Sequence, residues 1–250
     1  MIISPKITHL PVIWEIRKFA LYSLSSLKAL FKFRSIVVIY DSIIDFPVWW
    51  KHQQRKNEPL KTDLPWITFK AERFLRKILR KDMIVFEYGS GSSTLYFSRR
   101  VARIFSIEHH REWFEHIQQI LSEQSIKNAD CRLIEPETLT ENQPNVYLSS
   151  SSLDKNKSFE SYVKSIDAFP DEYFDIVVVD GRSRTNCIAH AKTKIKQGGY
   201  MVVDNSERAY YFDGNDFLSN KKEWEALHFI GSVPYSFGFS KTSFFHKKST

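Results

Sequence analysis

The sequence predicts an α/β fold built on a mostly parallel sheet of seven strands. Short apolar segments, of the length expected for buried strands, alternate with helical segments between residues 83 and 204. A glycine-rich turn with Gly89 and Gly91 directly follows the first of these strands. Two further strand-like segments near the C-terminus are joined through Gly238 and have the pattern of an antiparallel hairpin.

The composition is that of an ordinary globular protein, with 42% hydrophobic and 26% charged residues among 250. The net charge of +7 is unevenly distributed, because residues 1–82 hold sixteen basic and seven acidic side chains, whereas the remainder is close to neutral. A basic segment favours contact with phosphates, acidic glycans or anionic lipid headgroups. A solvated helix face is the alternative explanation.

The two cysteines, Cys131 and Cys187, are far apart and form no CxxC pair. This spacing argues against a disulfide scaffold or a zinc site and predicts a cytoplasmic location. Charged residues interrupt the apolar segment 19–50, so the sequence contains no stretch near the ~20 apolar residues that a membrane span requires. An amphipathic helix over residues 12–34 is a candidate for peripheral membrane contact, with packing onto the rest of the protein as the alternative.

Two regions are expected along the chain. Residues 1–66 form a basic, aromatic N-terminal extension, and residues 67–250 form the α/β domain. Within the extension, we expect a helix over residues 13–33, a short β-branched segment over residues 35–40, and an aromatic, polar connector over residues 46–66.

Within the α/β domain, the first helix is expected to begin after Thr68, a good N-cap, and to end near Leu79. Strands are predicted over residues 83–88, 104–108, 131–134, 174–180, 199–204, 228–233 and 242–247, and further helices over residues 92–101, 112–121 and 184–196. Such alternation implies right-handed crossovers between parallel strands, which is a doubly wound, Rossmann-like arrangement. Residues 135–160 are expected to form a flexible surface loop, or a lid.

The turn after the first strand has the features of a ligand site. Gly89 and Gly91 lack Cβ atoms, so a ligand can approach the backbone, and the following helix offers free N–H groups. A dinucleotide site usually has a third glycine where this chain has Thr94. Glu87, two residues before the first glycine, is unfavourable for a pyrophosphate but suits a ligand that carries an ammonium and a sulfonium group. Ser93 and Thr94 belong to the same predicted cofactor-binding turn, and His109 and Asp180 are also predicted to bind the cofactor.

A second acidic residue strengthens this prediction. Glu108 ends the second strand, nineteen residues after Gly89, where a carboxylate can accept hydrogen bonds from both hydroxyls of a ribose. This position suits either a nicotinamide dinucleotide or S-adenosylmethionine, and an exposed strand-end carboxylate is the alternative. His109 and His110 are predicted as walls of the pocket or surface groups rather than metal ligands.

Polar side chains also end the next two strands. Asp180 follows the fourth strand, and Asp204 and Asn205 follow the fifth. Because the carboxyl ends of parallel strands border the ligand crevice, we expect these three side chains to lie close together. Three oxygen-bearing ligands with space for water suit Mg²⁺. The three residues are therefore a candidate magnesium site, with helix capping and local turn bonds as the alternatives.

With these features, residues 67–250 resemble the class I S-adenosylmethionine-dependent methyltransferases. Within that class they are similar to the divalent-metal-dependent O-methyltransferases of the catechol and caffeoyl type. The resemblance implies a cofactor set and a metal set, namely Glu87, Gly89, Gly91 and Glu108 for the cofactor and Asp180, Asp204 and Asn205 for the metal. That family has a lysine base where this chain has Ser183, between Arg182 and Arg184. Arginine stays protonated and is a poor base, but it binds acidic groups.

The predicted function is methyl transfer from S-adenosylmethionine to a hydroxyl group of a small molecule or glycan. Asp180, Arg182 and Asp204 are the predicted catalytic residues, with or without Mg²⁺. A nucleic-acid acceptor is not expected, because the sequence has no DPPY-like motif of the kind found in amino-methylating nucleic-acid enzymes. Two alternatives stay open: a nicotinamide-dependent oxidoreductase, and a non-catalytic module whose basic N-terminus docks on a membrane or polyanion.

Overall fold

A computed structural model of the chain describes residues 11–53, 60, 62, 64–139, 146–149, 151 and 154–249, with side chains described from Trp14 onward. The helices are α1 (Pro11–Phe33), α2 (Val37–Gln53), α3 (Phe69–Ile78), α4 (Ser92–Ser98), α5 (Arg111–Glu123), α6 (Glu160–Lys164) and α7 (Arg184–Ala191). The strands are β1 (Ile84–Tyr88), β2 (Arg103–Glu108), β3 (Ala129–Leu133), β4 (Glu137–Thr138), β5 (Lys157–Ser158), β6 (Phe174–Val179), β7 (Ile195–Val203), β8 (Trp224–Ser232) and β9 (Phe239–Lys247).

The main sheet has seven strands in the order β3-β2-β1-β6-β7-β9-β8. The first five strands in this order are parallel. Strand β9 is antiparallel to β7, and β8 is antiparallel to β9. The predicted fold is therefore confirmed: a mostly parallel, doubly wound sheet that ends in an antiparallel hairpin and follows an N-terminal helical extension.

Helices cover both faces of the sheet because its central strands are apolar on both sides. In β6, Val177 and Val179 belong to the hydrophobic core that includes α6 and α7, whereas Ile176 and Val178 belong to the core that includes α3 and α4. Alternate residues of a strand point to opposite faces, so a strand that is covered on both faces requires an unbroken apolar run. This pattern made the central strands predictable.

The chain changes direction within the sheet between β1 and β6. From β1 it moves outward through β2 to β3, and it then returns to the other side of β1 as β6 and continues to β7. The connections that leave β1 and β6 therefore diverge, and a crevice forms at the carboxyl ends of these strands. The ends of β2 and β7 lie along the same edge, so the predicted site segments meet there.

Helices α1 and α2 pack against the hairpin end of the sheet. The rings of Tyr22 and Trp49 have centroids 4.3 Å apart. The Trp49 indole donates a hydrogen bond to the backbone oxygen of Ser236, and the Tyr22 hydroxyl contacts the hydroxyl of Ser232. The predicted helix over residues 13–33 is confirmed as α1. None of the described helices is both long enough and apolar enough to cross a membrane.

Residues 37–53 differ from the expectation, because the β-branched segment and the first part of the predicted connector form helix α2. Val38, Asp45 and Trp49 are buried at helical spacing, so tertiary burial outweighs the weak helix propensity of β-branched residues. Pro47 lies inside this helix, where it removes one backbone hydrogen bond. Within the predicted connector, residues 54–59, 61 and 63 lie outside the described residues.

Helix α3 begins as predicted. The side chain of Thr68 caps it by accepting a hydrogen bond from the N–H of Ala71, at 3.3 Å. Two ion pairs join α3 to α2: Lys70 Nζ lies 2.7 Å from Asp41 Oδ2, and Arg73 Nη1 lies 2.6 Å from Asp45 Oδ1. The extension is thus attached to the α/β domain by polar as well as aromatic contacts.

The predicted loop over residues 135–160 is partly ordered. Strands β4 and β5 form a small antiparallel pair, with Glu137 opposite Ser158. Residues 140–145, 150, 152 and 153 of this loop lie outside the described residues. Farther along the chain, α7 ends at Ala191 rather than near residue 196, because β7 already begins at Ile195.

Candidate functional site

The turn between β1 and α4 is fixed by the close approach of two glycines. Gly89 has a φ of +96°, which favours glycine, and its N–H donates to the backbone oxygen of Ile107 at 2.9 Å. A Cβ atom on Gly89 would lie 2.9 Å from the Cα atom of Gly181, in the turn after β6. A Cβ atom on Gly181 would collide with the hydroxyl of Tyr162. The two turns therefore touch backbone to backbone.

Glu87 lies beneath this turn and is fully buried. Its Oε2 accepts hydrogen bonds from the hydroxyls of Thr94 and Ser106, at 2.5 and 2.7 Å. The Thr94 hydroxyl oxygen accepts in turn from the N–H of Gly91, at 3.0 Å. Burial raises the pKa of Glu87 from 4.5 to about 7. Glu87 thus supports the turn from below, and its direct contact with a ligand stays a prediction.

Glu108 ends β2 and faces the same turn. Its Oε2 accepts a hydrogen bond from the N–H of Ser90, at 3.1 Å. Its Oε1 accepts from the N–H groups of His109 and His110, at 2.9 and 2.8 Å. One carboxylate therefore holds both the glycine turn and the start of α5. Because a carboxylate oxygen has about two acceptor positions, Oε2 retains one for a ligand.

A cleft of about 500 Å³ lies over the glycine turn and Glu108. This volume is within the range of small-molecule sites. The cleft is lined by Trp66, Gly89, Ser90, Gly91, Ser92, Ser93, Glu108, His109, His110, Trp113, Asp180, Gly181 and Arg182. All of the predicted cofactor residues except Glu87 and Thr94 are among these lining residues. We call this cleft the donor cleft, after the role that we propose for it below.

Two tryptophans in the donor cleft were missed by the sequence reasoning. The indole N–H of Trp113 donates to the backbone oxygen of Ser90, at 2.7 Å, which fixes the ring at the wall of the cleft. A fixed aromatic ring is suited to stacking on a flat heterocycle. Trp113 lies in the first turn of α5, three residues after the N-cap residue His110. The sequence predicts that this helix begins at the edge of the sheet where the ligand binds, so the position of Trp113 could have been recognised. Trp66 precedes α3 and carried no such signal.

Asp180, Asp204 and Asn205 come together as predicted, but around the guanidinium group of Arg184. Arg184 Nη2 lies 2.8 Å from Asp180 Oδ1. Arg184 Nη1 donates to the backbone oxygen of Asp204 at 2.5 Å and approaches Asn205 Oδ1 at 3.4 Å. Arg184 is buried, and its Nε donates to the backbone oxygen of Gly181 at 3.1 Å. A cation of the chain therefore lies beside Asp180, Asn205 and the backbone of Asp204, close to where the metal was expected.

These residues do not fit a Mg²⁺ site. Both carboxylate oxygens of Asp204 accept internal hydrogen bonds, from the Thr242 hydroxyl at 2.6 Å and from the Asn205 amide at 2.8 Å. Mg²⁺ requires a near-octahedral set of oxygen ligands, whereas these oxygens already bind donors of the protein. Among the described residues, no group of three or more His, Cys, Asp or Glu side chains is arranged to hold a metal ion. The prediction of Mg²⁺ is thus not supported.

The two aspartates differ in their surroundings. Burial raises the pKa of Asp180, although the charge of Arg184 opposes this effect. Burial, followed by the charge of Asp180, raises the pKa of Asp204 from 3.8 to about 7. The side chain of Asp180 is 29% exposed, whereas Asp204 is 3% exposed. Asp180 is therefore the more exposed of the two aspartates, although both line the second of the clefts at this edge of the sheet.

A second cleft, of about 580 Å³, adjoins the donor cleft and shares Asp180 and Arg182 with it. A third, of about 710 Å³, continues from the second toward Tyr210. Arg182, Arg184 and Arg208 line both the second and the third cleft. We call these two connected spaces the acceptor clefts. The sequence reasoning missed Arg208, because nothing in its local pattern indicates that it turns toward the end of β6.

No protein-family model matches the sequence, and no curated protein matches it. By structure, an rRNA methylase from Streptococcus thermophilus aligns with a TM-score of 0.50 and 12% identity, over 72% of this chain and 95% of that chain. A protein from Corynebacterium glutamicum aligns with a TM-score of 0.51 and 9% identity, over 80% and 91%. A putative methyltransferase from Streptococcus mutans in complex with SAH has a TM-score of 0.49 and 11% identity, over 70% and 95%.

At these identities the similarity shows the fold alone, which is Rossmann-like and is shared with the rRNA methylase. The narrower resemblance to the catechol and caffeoyl type is not specifically supported. One of the similar structures is an rRNA methylase, so the fold does not exclude a nucleic-acid acceptor. The expectation that the acceptor is not a nucleic acid therefore stays a prediction.

Proposed function

We propose that the chain is an S-adenosylmethionine-dependent methyltransferase that acts on a hydroxyl group of a small molecule or glycan that also carries an anionic group. One observation carries this proposal: the donor cleft, over the glycine turn and Glu108, meets the arginine-lined acceptor clefts at Asp180 and Arg182. Methyl transfer is a displacement between two bound molecules, so it requires two sites that share a wall.

The donor cleft suits S-adenosylmethionine, which supplies a methyl group already activated on a sulfonium. Glu108 Oε2 has a free acceptor position for a ribose hydroxyl, and the indole of Trp113 offers a flat wall for the adenine ring. At Gly91, a Cβ atom would meet only the Ser93 hydroxyl, at 3.7 Å, so the backbone there faces open space. Thr94 stands where a dinucleotide site usually has its third glycine, and its hydroxyl is hydrogen-bonded to Glu87, so the nicotinamide-dependent alternative is not favoured.

Asp180 is the proposed proton acceptor. Arg184 holds its Oδ1, while its Oδ2 makes no hydrogen bond within the described part of the chain. The hydroxyl proton of the acceptor would pass to Asp180, and then to solvent, as the oxygen–methyl bond forms and the sulfur–methyl bond of the sulfonium breaks, with S-adenosylhomocysteine as the leaving group. The charge of Arg184 favours the ionised carboxylate that this role requires.

Asp204, which the sequence indicates as catalytic, is proposed instead as a positioning residue. Its carboxylate oxygens are bound by Thr242 and Asn205. Its backbone oxygen accepts a hydrogen bond from Arg184, which binds Asp180 in turn. Asp204 thus acts through Arg184 rather than on the acceptor itself.

The arginines of the acceptor clefts support the proposal that the methyl acceptor carries an anionic group. Arg184 is engaged by the protein, but Arg208 is exposed, and its Nη1 donates to the Tyr211 hydroxyl at 2.7 Å. Arg182 is half-buried, with its Nε 2.9 Å from Asp154 Oδ2. Guanidinium groups bind carboxylates and phosphates with paired N–H donors. We therefore assign Arg182 and Arg208 to a carboxylate or phosphate of the acceptor.

Isothermal titration of the full chain with S-adenosylhomocysteine, and separately with NAD, tests the cofactor assignment. We expect binding of S-adenosylhomocysteine and none of NAD. Glu108→Ala should weaken S-adenosylhomocysteine binding by ~1.5–3 kcal/mol, the scale of hydrogen bonds to a charged group. Glu115→Ala, at an exposed position of α5, is the matched control and should bind as the wild type does. Binding of NAD alone, or an unchanged affinity in Glu108→Ala, would contradict the assignment.

Transfer of a labelled methyl group to a panel of hydroxyl compounds tests the acceptor. The panel should contain matched pairs of alcohols and sugars with and without a phosphate or carboxylate. We expect labelling of the anionic members, with a higher KM in Arg208→Gln. Labelling of RNA alone would show that the acceptor class is wrong while leaving the cofactor assignment intact.

A further inference from the structure

The N-terminal helices carry an unusual share of the exposed apolar surface. Seventeen large hydrophobic side chains are exposed in the described residues, and twelve of them lie between residues 14 and 48. These twelve are Trp14, Ile16, Phe19, Leu24, Leu27, Phe31, Ile36, Val37, Tyr40, Ile43, Ile44 and Val48. We call them the outer face. Apolar clusters of this kind mark interaction sites in folded proteins.

The outer face is a second apolar stripe rather than the edge of the core. In α1, Tyr22, Ser26 and Ala29 are buried, at intervals of four and three residues. Leu27 and Phe31 lie on the opposite side of the helix, given 3.6 residues per turn, and are 51% and 77% exposed. Ile16 and Leu24 continue this side. A helix with polar solvent on its outer side would have polar residues there.

In α2, the exposed apolar residues also recur at helical spacing. Val37, Tyr40, Ile44 and Val48 follow one another at intervals of three and four residues. The buried residues of this helix form a separate stripe that packs on the sheet and the aromatic cluster around Trp49. Both helices thus bury one side in the protein and leave a second apolar side uncovered by the described residues.

Positive charges lie beside the outer face, and the acidic groups of the same helices are neutralised. Four cations are exposed and form no ion pair with the described residues: Arg17, Lys28, Arg34 and Lys51. Each of the three acids in the two helices has a cationic partner, these acids being Glu15, Asp41 and Asp45. The surface presented to solvent is therefore apolar and cationic.

We propose that the outer face of α1 and α2 docks this protein on a membrane surface that contains anionic lipids. Such helices lie in the plane of the interface, with apolar side chains among the acyl chains and cations among the headgroups. Trp14 and Tyr40, both exposed, belong to the residue types that favour the level of the headgroups. This surface is separate from the donor and acceptor clefts, so the proposal does not depend on the proposed catalysis.

The charges favour a lipid surface over a second copy of the chain. A symmetric dimer through the outer face would bring the same patch of both copies together, and with it the unpaired Arg17 and Lys28 of each. Anionic headgroups neutralise these charges, with an effect equivalent to about a fivefold change in binding for each cation near the surface. The membrane is therefore the occupant that satisfies both the apolar and the charged groups.

Co-sedimentation of the full chain with vesicles tests the proposal. One set of vesicles contains phosphatidylcholine alone, and the other also contains phosphatidylserine. We expect binding to the phosphatidylserine vesicles that weakens as salt is added, because screening shortens the reach of the charges. Leu27→Ser/Phe31→Ser should lose at least tenfold in binding. Arg17→Gln/Lys28→Gln should lose more than tenfold with phosphatidylserine and change little without it.

Matched controls distinguish the loss of docking from the effects of lower net charge, of any lost apolar side chain and of unfolding. Lys127→Gln/Lys222→Gln removes the same charge at exposed positions outside the helices, and Val146→Ser removes a side chain that is 70% exposed on a loop. Both should bind vesicles as the wild type does, and circular dichroism should show that all four variants are folded. Equal binding by Leu27→Ser/Phe31→Ser and the wild type would overturn the proposal. A wild-type dimer that this variant converts to a monomer, without vesicle binding, would overturn it in favour of self-association.

Discussion

Arg184 and Asp180 form an ion pair at the meeting point of the donor and acceptor clefts, with Arg184 Nη2 2.8 Å from Asp180 Oδ1. The same guanidinium also binds the backbone oxygens of Gly181 and Asp204. It therefore joins the turn after β6 to the end of β7, and it supplies the positive charge that a metal ion would otherwise bring to these oxygens.

Replacing Arg184 should destabilise the fold. Arg184→Met leaves the largely buried oxygens around it without a donor, and breaking such a pair costs about 3–5 kcal/mol. Urea unfolding measures the loss in free energy of unfolding. Arg182→Met is the matched control, since Arg182 is half-buried and its ion pair should contribute ~1 kcal/mol or less. Equal effects of the two substitutions would contradict the assigned role of Arg184.

Replacing Asp180 should affect turnover more than cofactor binding. Asp180→Asn keeps the size of the side chain but removes the proton acceptor, and loss of general base catalysis lowers kcat by roughly 10²–10⁴-fold. The affinity for S-adenosylhomocysteine, measured by titration, should change by a smaller factor than kcat. Asp213→Asn, at an exposed position, is the control. A near-normal rate in Asp180→Asn would show that another group accepts the proton.

Methyl transfer should be independent of divalent metal ions. Asp180 Oδ1, Asn205 Oδ1 and both carboxylate oxygens of Asp204 are bound by Arg184 or by other groups of the chain, so an added ion would find only Asp180 Oδ2 without a hydrogen-bond donor among the described residues. Initial rates in EDTA and in added MgCl₂ should agree. A rate that falls in EDTA and returns with Mg²⁺ would restore the metal prediction that the sequence suggested.

Glu87 should make the stability fall as the pH rises from about 4.5 to 7. Below 4.5 the carboxyl group is protonated in both the folded and the unfolded chain. Between these values only the folded chain retains the proton, because burial raises the pKa of Glu87 to about 7. The loss is about 3 kcal/mol at the upper end of this range. Urea unfolding at several pH values should show a smaller fall in stability in Glu87→Gln than in the wild type and in the exposed control Glu115→Gln, because Asp204, whose pKa is also raised to about 7, contributes to the fall in all three proteins.

Two glycines of the same turn should respond differently to alanine. Gly89→Ala places a Cβ atom 2.9 Å from Gly181 and requires a residue with φ of +96°, so it should cost roughly 1–3 kcal/mol of stability. Gly91→Ala meets only the Ser93 hydroxyl at 3.7 Å, so it should remain stable but bind S-adenosylhomocysteine less well. Thermal unfolding and titration measure the two effects. The reverse pattern would mean that the ligand does not lie against Gly91.

The sheet and the donor cleft were predictable because their signals are local. The apolar run of β6 and the glycines after β1 are readable from neighbouring residues, and the chain order then places Glu108 and Asp180 at one edge of the sheet. Helix α2 was not predictable in this way. Its β-branched start favours an extended chain, whereas contacts over a long sequence separation, such as the burial of Trp49 against the hairpin and the ion pairs with α3, stabilise the helix.

The role of Arg184 was also outside the reach of sequence patterns. Ser183 precedes it with a φ of +49°, a conformation that non-glycine residues seldom adopt. Arg184 lies at the beginning of α7, and its side chain reaches back to the oxygens that end β6 and β7. Three oxygen-bearing residues at strand ends predict a cation between them, but their spacing in sequence does not distinguish an ion from an arginine.

The contact of Gly89 with Gly181 has a consequence for redesign. Main-chain atoms meet there without an intervening side chain, so no rotamer change can widen or narrow the gap between the two turns. The spacing between these two turns is thus set by main-chain contact rather than by side chains. Attempts to change the specificity for the proposed methyl acceptor should therefore alter Arg182, Arg208 or Tyr210 and leave the two glycines unchanged.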